Sequence, residues 1–231
     1  LVSGRRPAPI EAVAAATGGV AVCGDVASEA DCERMVAVAV ERFGGLDILV
    51  ANAGVEAFGS VTELDPAAWQ QVLDVNVTGV MLSARAAIPA LRARSGGAIV
   101  IVASEAAITA GPHYAAYNTS KTALLGLARS MAYDHGGEGI RVNTVCPGWV
   151  RTEMSERETA AMAAEKGITP AEQEAALTRF MPIRRLGTPE EIAACIGFLA
   201  SPAASFVNGA VLTADGGATV VDVGTLGFLQ H

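Results

Sequence analysis

Tyr117 and Lys121 stand four residues apart in the stretch Tyr117-Asn118-Thr119-Ser120-Lys121. On a helix this spacing puts both side chains on one face, with the ammonium beside the phenol. A free phenol ionises near pH ~10, too high for proton exchange at neutrality, and a fixed positive neighbour lowers that value. The pair reads as an acid/base device. Only two of the 16 basic residues are Lys, so a compact ammonium is used here in a chain that otherwise chooses Arg, whose guanidinium cannot replace it. The plainer alternative is a solvent-facing helix pair.

A device of this kind needs elements that bring other polar groups to it. Val20 to Cys23 reads as a short buried strand closing on Gly24-Asp25-Val26, and Asp47 to Ala51 as another that opens into Asn52-Ala53-Gly54. Ala98 to Ala103 is the clearest buried strand, with Ser104 at its carboxyl end; Ile140 to Val145 leads to Cys146-Pro147-Gly148, and Ala210 to Thr213 is the last. Leu1-Val2-Ser3 resembles the tail of a strand. Between the strands lie helical runs: Glu11 to Ala16; a segment capped by Ser28 and stopped by Gly44-Gly45; and a long helix from Asp65-Pro66 to about Arg94, with Asn76 in its interior. The Tyr117/Lys121 helix ends at Gly136-Gly137, and Thr188-Pro189-Glu190-Glu191 caps the last helix. Residues 149–187 are polar and helix-prone, with a second capped start at Thr169-Pro170, and are long enough for a lid over a substrate; residues 218–231 form a C-terminal tail.

Strands alternating with helices predict an α/β protein, a Rossmann-like doubly wound parallel sheet in a single domain spanning 1–231. In such a sheet ligands bind beyond the carboxyl ends of the strands. Asp25, Asn52, Ser104 and Pro147-Gly148 all fall there, and the Gly111-Pro112 turn lets Tyr117 fold back to the same edge.

Composition supports the class and excludes others. The 231 residues are 51% hydrophobic, with a mean hydropathy of +0.38, as a sheet buried on both faces requires. No apolar run reaches the ~18 residues of a membrane span, so no membrane partner is expected. A net charge of −8 and no basic stripe argue against nucleic acid. Cys23, Cys32, Cys146 and Cys195 lack CxxC spacing and read as reduced, cytoplasmic thiols, mostly small core residues. His113, His135 and His231 show no metal-ligand spacing, so no metal site is proposed.

With these residues in place the sequence resembles the classical short-chain dehydrogenase/reductase family, from residue 1 to about Gly217. The elements that match are Asn52-Ala53-Gly54, Asp74-Val75-Asn76-Val77, Ser104, Tyr117 with Lys121, Arg141-Val142-Asn143 and Pro147-Gly148-Trp149-Val150-Arg151-Thr152. The resemblance implies an oxidoreductase that moves a hydride between NAD(P)(H) and a secondary alcohol or ketone. Tyr117 exchanges the proton with the substrate oxygen, Lys121 lowers the phenol pKa and bonds the ribose, Ser104 holds the substrate oxygen, and Asn76 supports a water path to Lys121. It places the cofactor against Asp25 and Val26 at the adenine, Asn52 to Gly54, Pro147 and Gly148, and Val150 and Thr152 at the carboxamide. Each also has a bland reading: Asp25 as a turn former, Thr152 as an N-cap, Cys146 as a buried filler. His113, Glu105, Trp149 and Met154 line the substrate pocket or merely pack.

The departure is at the front. The family's Thr-Gly-x-x-x-Gly-x-Gly loop, with its strand and helix, is not in these 231 residues. That strand would lie in mid-sheet, so a gap is expected, and the sequence reads either as a piece of a longer chain, as Leu1 suggests, or as a degraded relative. Gly4 stands where NAD-preferring relatives carry an acid, and Arg5 follows it, able to pair with a 2′-phosphate; NADP(H) is favoured, with NAD(H) the alternative. Small residues Ala84, Ala87, Ala123 and Gly126 are expected on outer helix faces that pair copies into a dimer or tetramer. Two other functions compete: a non-catalytic binding or regulatory protein of the same fold, and a sugar-nucleotide epimerase or dehydratase, for which the roughly 14 residues after Gly217 are too few to form a substrate domain.

Overall fold

The computed structural model describes residues 1–228; residues 229–231 of the C-terminal tail and the side chains of Met154 and Phe228 lie outside the described residues. Strands β1 (Val2–Gly4), β2 (Ala21–Cys23), β3 (Ile48–Ala51), β4 (Gly97–Val102), β5 (Ile140–Pro147) and β6 (Val211–Ala214) alternate with helices α1 (Pro7–Thr17), α2 (Glu29–Phe43), α3 (Pro66–Leu73), α4 (Gly79–Ala93), α5 (Ala115–Gly136), α6 (Glu153–Lys166), α7 (Pro170–Thr178) and α8 (Pro189–Ala200). Every ladder is parallel.

β4 shows why the sheet is layered on both sides. Successive side chains point to opposite faces. Ile99 and Ile101 enter one core with Ala84, Ala87, Leu91, Leu124 and Ala128 of α4 and α5, whereas Val100 enters another with Leu199, Ile192 and Ile196 of α8. A strand covered twice must be apolar throughout, which is what made it legible.

The sheet divides where a gap is expected. β3-β4-β5-β6 form one sheet and β1-β2 another, with no ladder between them. β3 therefore ends the larger sheet, and its Ile48 and Val50 are 45% and 42% exposed. Helices join the two units: Cys32 and Met35 of α2 pack with Val22 of β2 and Leu82 of α4. A Cβ on Gly79 would come within 2.7 Å of Val26 Cγ2, so glycine sets how closely the β2 loop meets α4.

Helix starts follow their local chemistry. The Ser28 hydroxyl accepts from Asp31 N–H at 3.3 Å, and Thr169 and Thr188 form capping boxes with Glu172 and Glu191. The long helix around Asn76 is not uniform: α3 and α4 are joined by a π-helical turn over Asp74–Thr78. Two expectations are corrected here. Ala84 and Ala87 are 1% and 0% exposed and belong to the core, because that face of α4 carries Ile88 and Leu91 onto the sheet; Ala123 and Gly126 are exposed. All four cysteines are free, but only Cys32 and Cys146 are buried, while Cys23, in a strand of the smaller sheet, is exposed.

Candidate active site

The π-helical turn supplies the first fixed point. Widening the helix turns Asn76, wholly buried, toward the loop after β3, where its Oδ1 accepts from Val55 N–H at 2.8 Å and its Nδ2 donates to Val55 C=O at 2.8 Å. Nδ2 also donates to Ser120 Oγ at 3.0 Å. Asn76 thus acts as a clip between the Asn52–Gly54 loop and α5, which gives the interior asparagine its reason.

On α5, one turn apart, are Tyr117 and Lys121, with Lys121 Nζ 5.5 Å from the Tyr117 ring centroid. Lys121 is 4% exposed and donates to Val102 C=O at 3.1 Å. Burial pulls its pKa down to about 8. Ser104, at the carboxyl end of β4, accepts from Ala106 N–H at 3.2 Å and lies near enough to the Tyr117 phenol to lower its pKa. The expectation that Lys121 lowers the phenol pKa is not met in this state. Burial drives Tyr117 up to about 12, Ser104 opposes the rise, and the charges of Glu56, Glu158 and Glu105 add to it. At neutral pH the phenol is a proton donor.

Three groups around Tyr117 were not singled out or not understood from sequence. Tyr114 lies edge-on to Tyr117, centroids 6.0 Å apart, and edge-on to Phe58 at 5.0 Å. Burial, and then Glu56 in the loop after β3, raise the Glu158 carboxyl on α6 to about 7. Glu105 is also raised to about 7, by burial and then by the charge of Asp215. Only the Tyr114-to-Tyr117 spacing was visible in the chain; nothing local marks Glu56 or Glu158.

The remaining candidates are placed as follows. Arg5 and Asp25, at the ends of β1 and β2, approach to 4.0 Å. Val26 is pressed against the Gly79 position. Asn52, Ala53 and Gly54 are exposed at the end of β3, and a Cβ on Gly54 would stand 3.5 Å from both Asn76 Oδ1 and Lys121 Nζ. Pro147 ends β5; at Gly148 a Cβ would fall 2.8 Å from Asp215 Cα, so glycine is required by close approach. Val150 bridges Gly187, and the Thr152 hydroxyl caps α6, accepting from Ser155 N–H at 3.3 Å. His113 pairs with Glu63 at 3.3 Å; Trp149 is half-buried, and the pocket role expected of Met154 lies outside the described residues. Cys146 is buried with its thiol pKa raised by desolvation, the signature of a packing residue. Arg141 and Asn143 brace the structure, donating to Leu199 C=O and Val207 C=O, each at 2.8 Å.

Comparison with known proteins fits this geometry. Residues 2–219 match the family model described as Enoyl-(Acyl carrier protein) reductase. The chain is 39% identical over 223 residues to human Dehydrogenase/reductase SDR family member 4, covering 94% of this chain and 77% of that protein. The chain belongs to the classical short-chain dehydrogenase/reductase family. It is also 45% identical over 159 residues to Protein MoaE of Klebsiella aerogenes, 69% of this chain, and spans only 62% of that relative's length. Levodione reductase has the same fold, with a TM-score of 0.90 at 29% identity, covering 95% of this chain and 87% of that one.

A short-chain dehydrogenase/reductase takes a nicotinamide dinucleotide, and the residues present fit one end of it. Gly54 stands beside Asn76 and Lys121 with no close clash to a side chain placed there, and Lys121 spends one of its three N–H donors on Val102. For the pyrophosphate, no Gly-rich strand-to-helix turn occurs among the described residues. Also among them, no three His, Cys, Asp or Glu side chains converge on a metal-sized site, and no helix is long and apolar enough to cross a membrane.

Proposed function

We propose that this short-chain dehydrogenase/reductase reduces a ketone to a secondary alcohol, and catalyses the reverse, with Tyr117 as the proton donor. The observation that carries the reading is the placement of Lys121 Nζ 5.5 Å from the Tyr117 ring centroid, with Ser104 at the adjacent carboxyl end of β4 and burial holding the phenol protonated, its pKa pushed up to about 12. A bound nicotinamide dinucleotide would supply the hydride. The substrate carbonyl oxygen accepts hydrogen bonds from Tyr117 and Ser104, two donors aimed at the atom on which negative charge develops. As the carbonyl carbon gains hydride, the oxygen takes the Tyr117 proton, and Lys121 faces the resulting phenolate. Asn76 holds the loop and α5 in register for this.

Arg5 at the end of β1 supports NADP(H) over NAD(H), because a guanidinium pairs with a 2′-phosphate and Asp25, 4.0 Å away, keeps it at the strand ends. Residues 149–187 serve as the lid. The four free cysteines favour a cytoplasmic setting, and the functional unit is a symmetric homo-oligomer.

A panel of secondary alcohols and ketones assayed with NADPH and NADH tests the reading. Turnover is expected, with kcat/KM at least ~10-fold higher for the phosphorylated cofactor and that ratio lost in Arg5→Ala. An NADH preference in the parent overturns the cofactor choice. The second reading is a non-catalytic binding protein of this family; absence of turnover across the panel would select it.

A further inference from the structure

We infer that Ser120 is a positioning residue for Tyr117: its hydroxyl, held by Asn76, fixes the peptide that joins Tyr117 to Lys121 and so sets where the phenol stands. The inference rests on the hydride-transfer reading and deepens it, adding a wholly buried residue that acts through another.

Hydrogen-bond accounting around Asn76 leaves one arrangement. Its Oδ1 accepts from Val55 N–H at 2.8 Å, which fixes the orientation of the amide, since a backbone N–H cannot accept. Both hydrogens of Nδ2 are then spent, one on Val55 C=O at 2.8 Å and one on Ser120 Oγ at 3.0 Å. With its oxygen accepting from Nδ2, the Ser120 hydroxyl has a single hydrogen to give, and it goes to Tyr117 C=O at 2.8 Å. The result is a chain of one polarity from the loop after β3 to the main chain of Tyr117. Asn76 and Ser120 are both 0% exposed, so bulk water does not compete for these bonds.

The carbonyl at the end of this chain is the one that matters for the pair. In an α-helix the C=O of one residue accepts from the N–H four residues on, so within α5 the Tyr117 carbonyl is the acceptor for Lys121 N–H. Ser120 therefore brings a second donor to the peptide that links the two residues, and back-bonding of this kind bends a helix locally. The neighbouring hydroxyls of α5 are engaged elsewhere: Thr119 Oγ1 donates to Ala115 C=O at 2.8 Å and Thr122 Oγ1 to Ala107 C=O at 3.1 Å. Of the three, only Ser120 is joined to the loop after β3. Rotation of α5 about its axis is felt most at the end of a long side chain, and a misplacement of about 1 Å at the reacting group costs on the order of 100-fold in rate. Asn76 and Ser120 lock that rotation against the loop. Loss of the Ser120 hydroxyl removes no contact to a ligand, so kcat should suffer and substrate affinity should not.

Ser120→Ala tests this, with Thr119→Val, which removes an exposed hydroxyl one residue away, as the control. Alanine is the best helix former, so the variant keeps α5. On a ketone that the parent reduces, Ser120→Ala should lower kcat at least ~10-fold with KM within ~threefold, and Thr119→Val should stay within ~threefold in both. The second readout needs no turnover. The Val55 amide is bonded to Asn76 and not to Ser120, yet its hydrogen exchange should run at least ~fivefold faster in Ser120→Ala, because Asn76 has lost one of the partners that hold it. A kcat within ~threefold of the parent in Ser120→Ala, Val55 exchange at the parent rate, or an equal loss in Thr119→Val overturns the inference. A lower melting temperature does not rescue it, for that is packing alone. If the parent turns over no ketone, the hydride-transfer reading fails, and Val55 exchange decides by itself whether Ser120 holds the loop to α5.

Discussion

Lys121 carries an ammonium into a place that offers it one backbone carbonyl and, among the described residues, no carboxylate partner. Its pKa falls from 10.5 to about 8 for that reason, a cost on the order of 3 kcal/mol to the folded chain at neutral pH. A residue kept at such a cost marks a functional-site candidate. Lys121→Met is therefore expected to raise the melting temperature by a few degrees while abolishing turnover, and an unchanged or lower melting temperature would show that the ammonium is better solvated than its burial implies. The sign with pH follows: below about 8 the lysine is charged in both states and the penalty is complete. Between about 8 and 10.5 only the unfolded chain holds the proton, so stability rises with pH. Tyr117 and Lys121 were legible in the sequence because both sit on one helix, where spacing alone fixes proximity. Glu56 and Glu158 were not, since nothing local in the sequence links the loop after β3 to α6.

Among the elements, the π-helical turn between α3 and α4 has the clearest function. A uniform α-helix through residues 66–94 is what the sequence predicts, and the ends agree, with Asp65 capping Ala67 N–H. Periodicity has no means of reporting one extra residue in a turn; the only sign was an asparagine where a helix prefers something else. Its side chain replaces a backbone partner for both polar groups of Val55. Asn76→Ala leaves those groups and Ser120 Oγ without that partner, so a loss of about 2 to 4 kcal/mol in denaturant unfolding is expected. A loss under ~1 kcal/mol would mean that water substitutes for the amide. Strand and helix boundaries were read more easily, because capping residues and doubly buried apolar runs act locally.

At the scale of the whole molecule, the alternating α/β order was legible, but the division into sheets of two and four strands was visible only as an expected gap. Strand pairing is a long-range property, and six correct strands do not say which neighbours they find. The surface that remains apolar bears on assembly: Tyr133 is 89% and Phe206 102% exposed, while Ala123 and Gly126 leave one face of α5 open to close approach. Light scattering at micromolar concentration is expected to give a multiple of the 23.5 kDa chain mass; a monomer would contradict the oligomer. The central claim, proton exchange at Tyr117, is tested most directly by Tyr117→Phe, which keeps the ring and removes only the hydroxyl. On any ketone that the parent reduces, kcat should fall at least ~100-fold with the melting temperature held; turnover within ~threefold of the parent would contradict it.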